Sequence, residues 1–169
     1  MITKRISQGG PAQYQDDVRD EAYKYVNDFS IAVDVGANVG FWSVPLSDKF
    51  EKVISFEPIA QVYECLVENT KNLSNIKLNN FALGSENKNV NMVFDSSNTG
   101  NSYIDGNPGN IKVKKLDDSF MPKFGLIKID CERHELEVLK GAVNTLLKYK
   151  PIVVVEQQQM RACVRPLSQ

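Results

Sequence analysis

The chain has 169 residues, 42% of them hydrophobic, enough to bury one sizeable core and most consistent with a single domain. Its 20 basic and 21 acidic side chains nearly cancel, and no basic block could neutralise a run of phosphates, which argues against a nucleic-acid partner. Three widely spaced cysteines (Cys65, Cys131, Cys163) form no C-x-x-C pair, and no apolar stretch has signal-peptide or membrane-spanning length; the expectation is a soluble, cytoplasmic protein with reduced thiols and no membrane partner.

In chain order, Tyr14, Val18, Ala22 and Val26 recur at four-residue spacing and predict a helix over 12–27 that leans on the core. The run IAVDV (31–35) predicts a strand that enters a turn with two glycines, Gly36 and Gly40. A helix is expected from about Asn38, kinked or cut short by Pro45, with Phe41 and Trp42 in the core. VISFE (53–57) reads as the second strand. Pro58 then opens a helix whose Ile59, Val62, Tyr63 and Leu66 share one face. IKLNNFAL (76–83) reads as a third strand. NVNMVFD (89–95) and IKVKKL (111–116) predict an inserted β-hairpin near 89–116, with Lys112, Lys114 and Lys115 on its wet face and a polar lid over 96–110. GLIKID (125–130) is a further strand, and ELEVLKGAVNTLLKYK (135–150) a helix with Leu136, Leu139, Val143, Leu146 and Leu147 facing inward. Pro151 ends it before IVVVE (152–156), a buried last strand. This alternation predicts an α/β fold, a doubly wound and mostly parallel sheet.

In such a sheet ligands bind beyond the carboxyl ends of the strands, here at Asp34, Glu57, Asn80, Asp130 and Glu156. A phosphate loop would need G-x-x-x-x-G-K-[ST], and a dinucleotide site G-x-G-x-x-G; neither is present. A carboxylate ahead of the turn would repel a pyrophosphate but suit an ammonium or sulfonium group, as in S-adenosylmethionine. Gly36 would let the backbone turn near that ligand, the following helix would offer amides to its carboxylate, and Glu57 would accept both ribose hydroxyls.

The blocks VDVGANVGFWS, VISFEP, NNFALGS, KKLDD, LIKIDCERHELEVLKGA and KPIVVVE together resemble the FkbM family of S-adenosylmethionine-dependent methyltransferases, over residues 31–156. The resemblance implies a Rossmann-like methyltransferase core over 31–156, flanked in one domain by the helix at 12–27 and a short tail at 157–169. It implies methyl transfer to a hydroxyl oxygen of a small molecule or glycan. It assigns Asp34, Gly36, Ala37, Asn38 and Gly40 to the cofactor loop, Glu57 and Pro58 to the ribose side, Asn80, Phe81 and Ala82 to the adenine side, and Asp130 to the methyl. Two features depart from the family pattern. Arg133, followed by His134, stands after the second acid where glycine is usual, and the tail is too short for the usual helix and strand pair, so the sheet is expected to end on an unusual edge unless a partner copy, as in a homo-oligomer, covers it.

Candidates for the base that takes the hydroxyl proton are Asp130, Glu132 and His134, the chain's single histidine. No metal-ligand cluster is visible. An RNA ribose methyltransferase, drawing on Lys128, Asp130, Lys140 and Glu156, and a non-catalytic cofactor-binding or assembly module remain as alternatives.

Overall fold

The structure is a computed structural model describing residues 15–93, 103–105, 107–157 and 160–166, with backbone alone for residues 157 and 160–166. Helix α1 (Asp16–Tyr23) precedes β1 (Ile31–Val35), α2 (Ser43–Ser47), β2 (Lys52–Phe56), α3 (Ala60–Thr70), β3 (Ile76–Asn79) and β4 (Ala82–Leu83). Short strands β5 (Lys88–Val90), β6 (Met92–Val93), β7 (Tyr103–Ile104) and β8 (Ile111–Lys114) follow. The chain ends through β9 (Leu126–Ile129), α4 (Glu135–Lys140), α5 (Val143–Tyr149), β10 (Ile152–Gln157) and β11 (Met160–Pro166).

The main sheet runs β11-β10-β9-β1-β2-β3, parallel throughout except for the antiparallel β10–β11 edge. Strand order reverses between β1 and β9, the switch point at which an open parallel sheet leaves a crevice above its carboxyl ends. Strand alternation divides the core in two. Ala32, Val53, Leu126, Ile152 and Val154 pack under Ala22, Trp42, Leu46 and Phe50 on one face. Val33, Val35, Ile54, Phe56, Ile127 and Ile129 meet Phe124, Val138, Ala142 and Leu146 on the other. Both faces are covered, which is why the strands read as nearly unbroken apolar runs.

Several boundaries differ from the sequence expectation, each for a local reason. Helix α1 is shorter than 12–27, and residues 12–14 lie outside the described segments. The run 76–83 is two strands in different sheets, because Asn80 donates its amide to the carbonyls of Glu57 (2.9 Å) and Pro58 (3.2 Å) and so ties the chain to the end of β2. The second sheet, β4-β8-β5, contains the expected hairpin as the antiparallel β5–β8 pair. Most of the lid expected over 96–110 lies outside the described residues. Beyond β10, the expected tail supplies an antiparallel edge strand, β11.

The expected helix 135–150 breaks at Gly141. A Cβ there would overlap the carbonyl oxygen of Gly84, so the close approach of the second sheet requires glycine at the break. Asp117, from the KKLDD block, then caps α5 by accepting the amides of Asn144 (3.0 Å) and Thr145 (2.8 Å). The break rotates the second half. Val138 and Ala142 are buried, whereas Leu136, Val143 and Leu147, expected inside, are exposed, at 62%, 46% and 65%.

Two phenylalanines four residues apart should behave oppositely. Phe124 is fully buried and meets Tyr149 edge to face at 5.8 Å, so Phe124→Ala should cost about 3–5 kcal/mol by urea denaturation. Phe120, wholly exposed, should change stability by less than about 0.5 kcal/mol on the same substitution.

Candidate active site

Register alone assembles the centre of the site. Across the sheet, Asp34 of β1 lies beside Ser55 of β2 and Lys128 of β9, and alternation turns all three to one face. Ser43, at the start of α2, donates its hydroxyl to Asp34 Oδ2 at 2.6 Å and lies 2.8 Å from the Ser55 hydroxyl. Lys128 Nζ sits 3.3 Å from Asp34 Oδ1, 3.5 Å from Asp130 Oδ2, and donates to the Gly36 carbonyl at 2.8 Å. Burial alone would lower the pKa of Lys128, but the charges of Asp34 and Asp130 outweigh it and hold the ammonium protonated.

This arrangement corrects the electrostatic reading of Asp34. Its carboxylate is fully buried and already balanced by Lys128, so it is not a free charge facing a ligand. One ammonium cannot balance the carboxylates gathered here, and the surplus falls on Asp130, whose side chain is 17% exposed. Two residues beyond Val154, itself the register partner of Lys128, Glu156 continues the same face of β10. The hydrogen bond to Asp130, burial, and Asp130's charge push Glu156 up to about 7. Glu156 is thus the group of this pair that changes its protonation near neutrality.

Beyond β1 the chain turns through left-handed backbone at Gly36 (φ 74), Asn38 (φ 51) and Gly40 (φ 103). A Cβ on Gly36 would overlap the Asp130 carbonyl oxygen, so this loop packs directly on the end of β9. The helix expected from Asn38 starts only at Ser43 and ends at Ser47, with Pro45 inside it. The loop amides are used within the protein rather than presented by a helix. Gly36 and Ala37 donate to the Phe56 carbonyl (3.0 Å each), and Asn38 donates to Glu57 Oε2 at 2.9 Å.

Glu57 follows β2. Its Oε1 accepts the Ile59 amide at 2.9 Å, so both carboxylate oxygens are pinned and each keeps acceptor capacity. Burial, only partly offset by those two hydrogen bonds, pushes Glu57 up to about 7. A vicinal diol donating to both oxygens would relieve that desolvation, and the site therefore fits a ribose. Pro58 follows Glu57 in the chain. Phe81 meets Phe56 edge to face at 5.3 Å, with Ala82 buried beside it, next to the anchored Asn80.

The segment after β9 is less simply placed. Glu132 (φ 46) and Arg133 (φ 75) both adopt left-handed backbone, the conformation that suits the glycine usual after the second acid. The Arg133 guanidinium lies 5.7 Å from the Tyr103 ring centre. His134 turns its ring toward Gly84 of the second sheet, with Nε2 buried and without a hydrogen-bond partner, and burial lowers its pKa. Lys140 pairs with Glu137 (2.7 Å) on the exposed side of α4, so it does not complete a set with Lys128, Asp130 and Glu156. No group of three metal-ligating side chains occurs among the described residues, and no helix among them is long and apolar enough to cross a membrane.

Motif spacing does not single out Ser43 or Ser55, and it brings in Glu156 only as a strand-end acid and, with Lys128, as a member of the RNA ribose methyltransferase alternative, never the two as partners of Asp34 and Asp130. The usable signal was a lysine and an acid two apart in the otherwise apolar LIKID, a pattern that puts both on one buried face.

An open parallel sheet with a glycine turn after its first strand and an acid after its second defines the Rossmann-like methyltransferase class. The profile of the Methyltransferase FkbM domain matches residues 34–162, and the chain belongs to that family. It is 27% identical over 128 residues to the hexuronic acid methyltransferase AglP of Haloferax volcanii, covering 72% of this chain and 53% of that protein. Methyltransferase FkbM from Methylobacillus flagellatus superposes with a TM-score of 0.52 at 20% identity, covering 80% of this chain and 39% of that one. SMU.1697c of Streptococcus mutans, solved with SAH, gives 0.52 at 12% identity over 83% and 69%. The chain thus spans about half the length of the curated relative it matches.

Substitutions at three positions probe this geometry. Lys128→Met leaves Asp34 buried and uncompensated and should cost about 3–5 kcal/mol, with Asp34→Asn in the same chain recovering part of the loss in chemical denaturation. At the left-handed position 133, Arg133→Gly should keep stability within about 1 kcal/mol of wild type, whereas Arg133→Val should lower the melting temperature clearly.

Proposed function

We propose that this protein transfers a methyl group from S-adenosylmethionine to a hydroxyl oxygen on a sugar-containing acceptor. The observation that carries the reading is Glu57, a buried carboxylate beside the glycine turn, pinned by two amides and raised to about 7, with room for two more donors. In this reading Glu57 holds the ribose hydroxyls, Asn80, Phe81 and Ala82 flank the adenine, and the loop from Asp34 through Gly40 borders the methionine end. Bound S-adenosylmethionine supplies an electrophilic methyl on a positively charged sulfur. Asp130, carrying the surplus negative charge, faces that cation, while Asp34 acts through Lys128 to fix the Gly36 carbonyl.

A hydroxyl must lose its proton to become an ether, and the Asp130–Glu156 pair is the group best built to take it. It replaces His134 in that role, since the His134 ring is seated against Gly84. Glu132, two residues beyond Asp130 on left-handed backbone, stays a second candidate for the base. Support for a sugar acceptor comes from the similarity to AglP, whose name specifies a hexuronic acid.

S-adenosylhomocysteine at a hundred times its dissociation constant should stabilise the protein by about 2.7 kcal/mol, and Glu57→Ala should lose most of that gain. Methylation of a uronic-acid oligosaccharide should rise with pH through about 7 as Glu156 loses its proton, and Asp130→Asn should flatten the rise. A folded wild type with no response to S-adenosylhomocysteine would overturn the cofactor assignment.

A further inference from the structure

Adjoining the adenine side of the proposed cofactor cleft, with which it shares Phe81, a groove of about 890 Å³ lies between the β2–β3 edge of the main sheet and the second sheet. Its charged lining is six lysines and one aspartate, in a chain whose basic and acidic residues number 20 and 21. That surplus of five positive charges is a segregation that composition does not explain. Lys52 and Lys77 stand on one wall; Lys112 and Lys114, two apart on β8, share the face toward the other, while Val113 between them turns to Ala82 and Val90. Lys114 Nζ lies 4.4 Å from the Phe81 ring centre. Lys88 and Lys115 have acidic neighbours, Glu86 at 3.2 Å and Asp118 at 3.5 Å. Lys52, Lys77 and Lys112 have none among the described residues, and all three are exposed. Between the walls the floor is apolar, made of Ile54, Phe56 and Phe81, and the fully exposed Phe120 stands at the rim.

We propose that this groove is a second ligand site, which binds an extended acidic glycan along the face of β2 and β3. The saccharide identity of the ligand rests on the acceptor reading above; the anionic character rests on the groove itself. β2 alone gives the channel a length of about 13 Å, which suits an oligomer better than a single small anion. Ammonium groups spaced along two walls match single charges repeated along a chain, and aromatic rings between them match the apolar faces of sugar rings. Every cation in the lining is a lysine. Nucleic-acid recognition draws on the bidentate fork of arginine, which the groove lacks, and the acidic glycan is therefore the favoured occupant.

The test is fluorescence anisotropy of the whole chain with a labelled oligogalacturonate, set beside a neutral maltooligosaccharide and a single-stranded RNA of equal length. The acidic sugar should bind in a salt-sensitive manner and the neutral one should not. Lys52→Ala, Lys77→Ala and Lys112→Ala combined should weaken that binding about tenfold, while Lys24→Ala, Lys71→Ala and Lys148→Ala, which change the net charge equally elsewhere, should not. Equal losses in both triple variants, or no binding of the acidic sugar, would overturn the site. Tighter binding of RNA that is lost only in the groove variant would overturn the glycan assignment. Thermal stabilisation by S-adenosylhomocysteine should be the same in both triple variants; its absence from the wild type would count against the methyltransferase reading and leave the groove result standing on its own.

Discussion

The site is organised around one buried cation. Lys128 projects from the middle of a parallel sheet into a place with almost no water, and an isolated ammonium there would be strongly unfavourable. It is tolerated because Asp34 and the Gly36 carbonyl, from the end of β1 and its turn, and Asp130, two residues further along its own segment, converge on it. The constraint runs in both directions. The same contacts hold the end of β1, the glycine turn and the end of β9 in one arrangement, so the lysine fixes the floor of the cleft without facing a ligand.

From that floor, negative charge is graded outward. Asp34 is compensated by Lys128, Asp130 reaches the same ammonium at 3.5 Å, and Glu156 beyond them is raised to about 7 by Asp130 and burial. At the end of β2 Glu57 carries its own desolvation, offset in part by two backbone amides and the charge of Lys128. Folding raises Glu57 and Glu156 above their ordinary carboxylate value, so the folded state holds more protons than the unfolded chain between about pH 4.5 and 7. Stability contributed by these two groups is present below that window and is lost as pH rises through it. The cleft is thus built at some cost to the fold, a cost that hydrogen-bond donors on a ligand can offset.

Much of this was legible in the sequence, and the reason is strand alternation. A strand that ends in an acid before a glycine turn announces itself locally, and so Asp34, Gly36, Glu57 and Asp130 could be named from spacing. The partner of Asp34 could not, because Lys128 lies 94 residues away by number and only the register of β1 against β9 brings them together. Helix faces failed for a related reason. Val143 and Leu147 fit one continuous helix with the residues before them, but the helix breaks at Gly141, where the chain meets the Gly84 carbonyl of another sheet, and both are exposed; Leu136, before the break, is exposed as well. Arg133 is the opposite case: its departure from a glycine pattern was visible in sequence, but only its φ of 75 shows why glycine suits the position.

The meeting of Gly84 with Gly141 also joins two parts of the molecule that would otherwise be independent. At that point a strand end of the second sheet touches both the α4–α5 break and the ring of His134, backbone against backbone and backbone against ring, with no flexible side chain between them. A shift of the lysine-bearing wall would therefore be passed on to the segment after Asp130 instead of being absorbed.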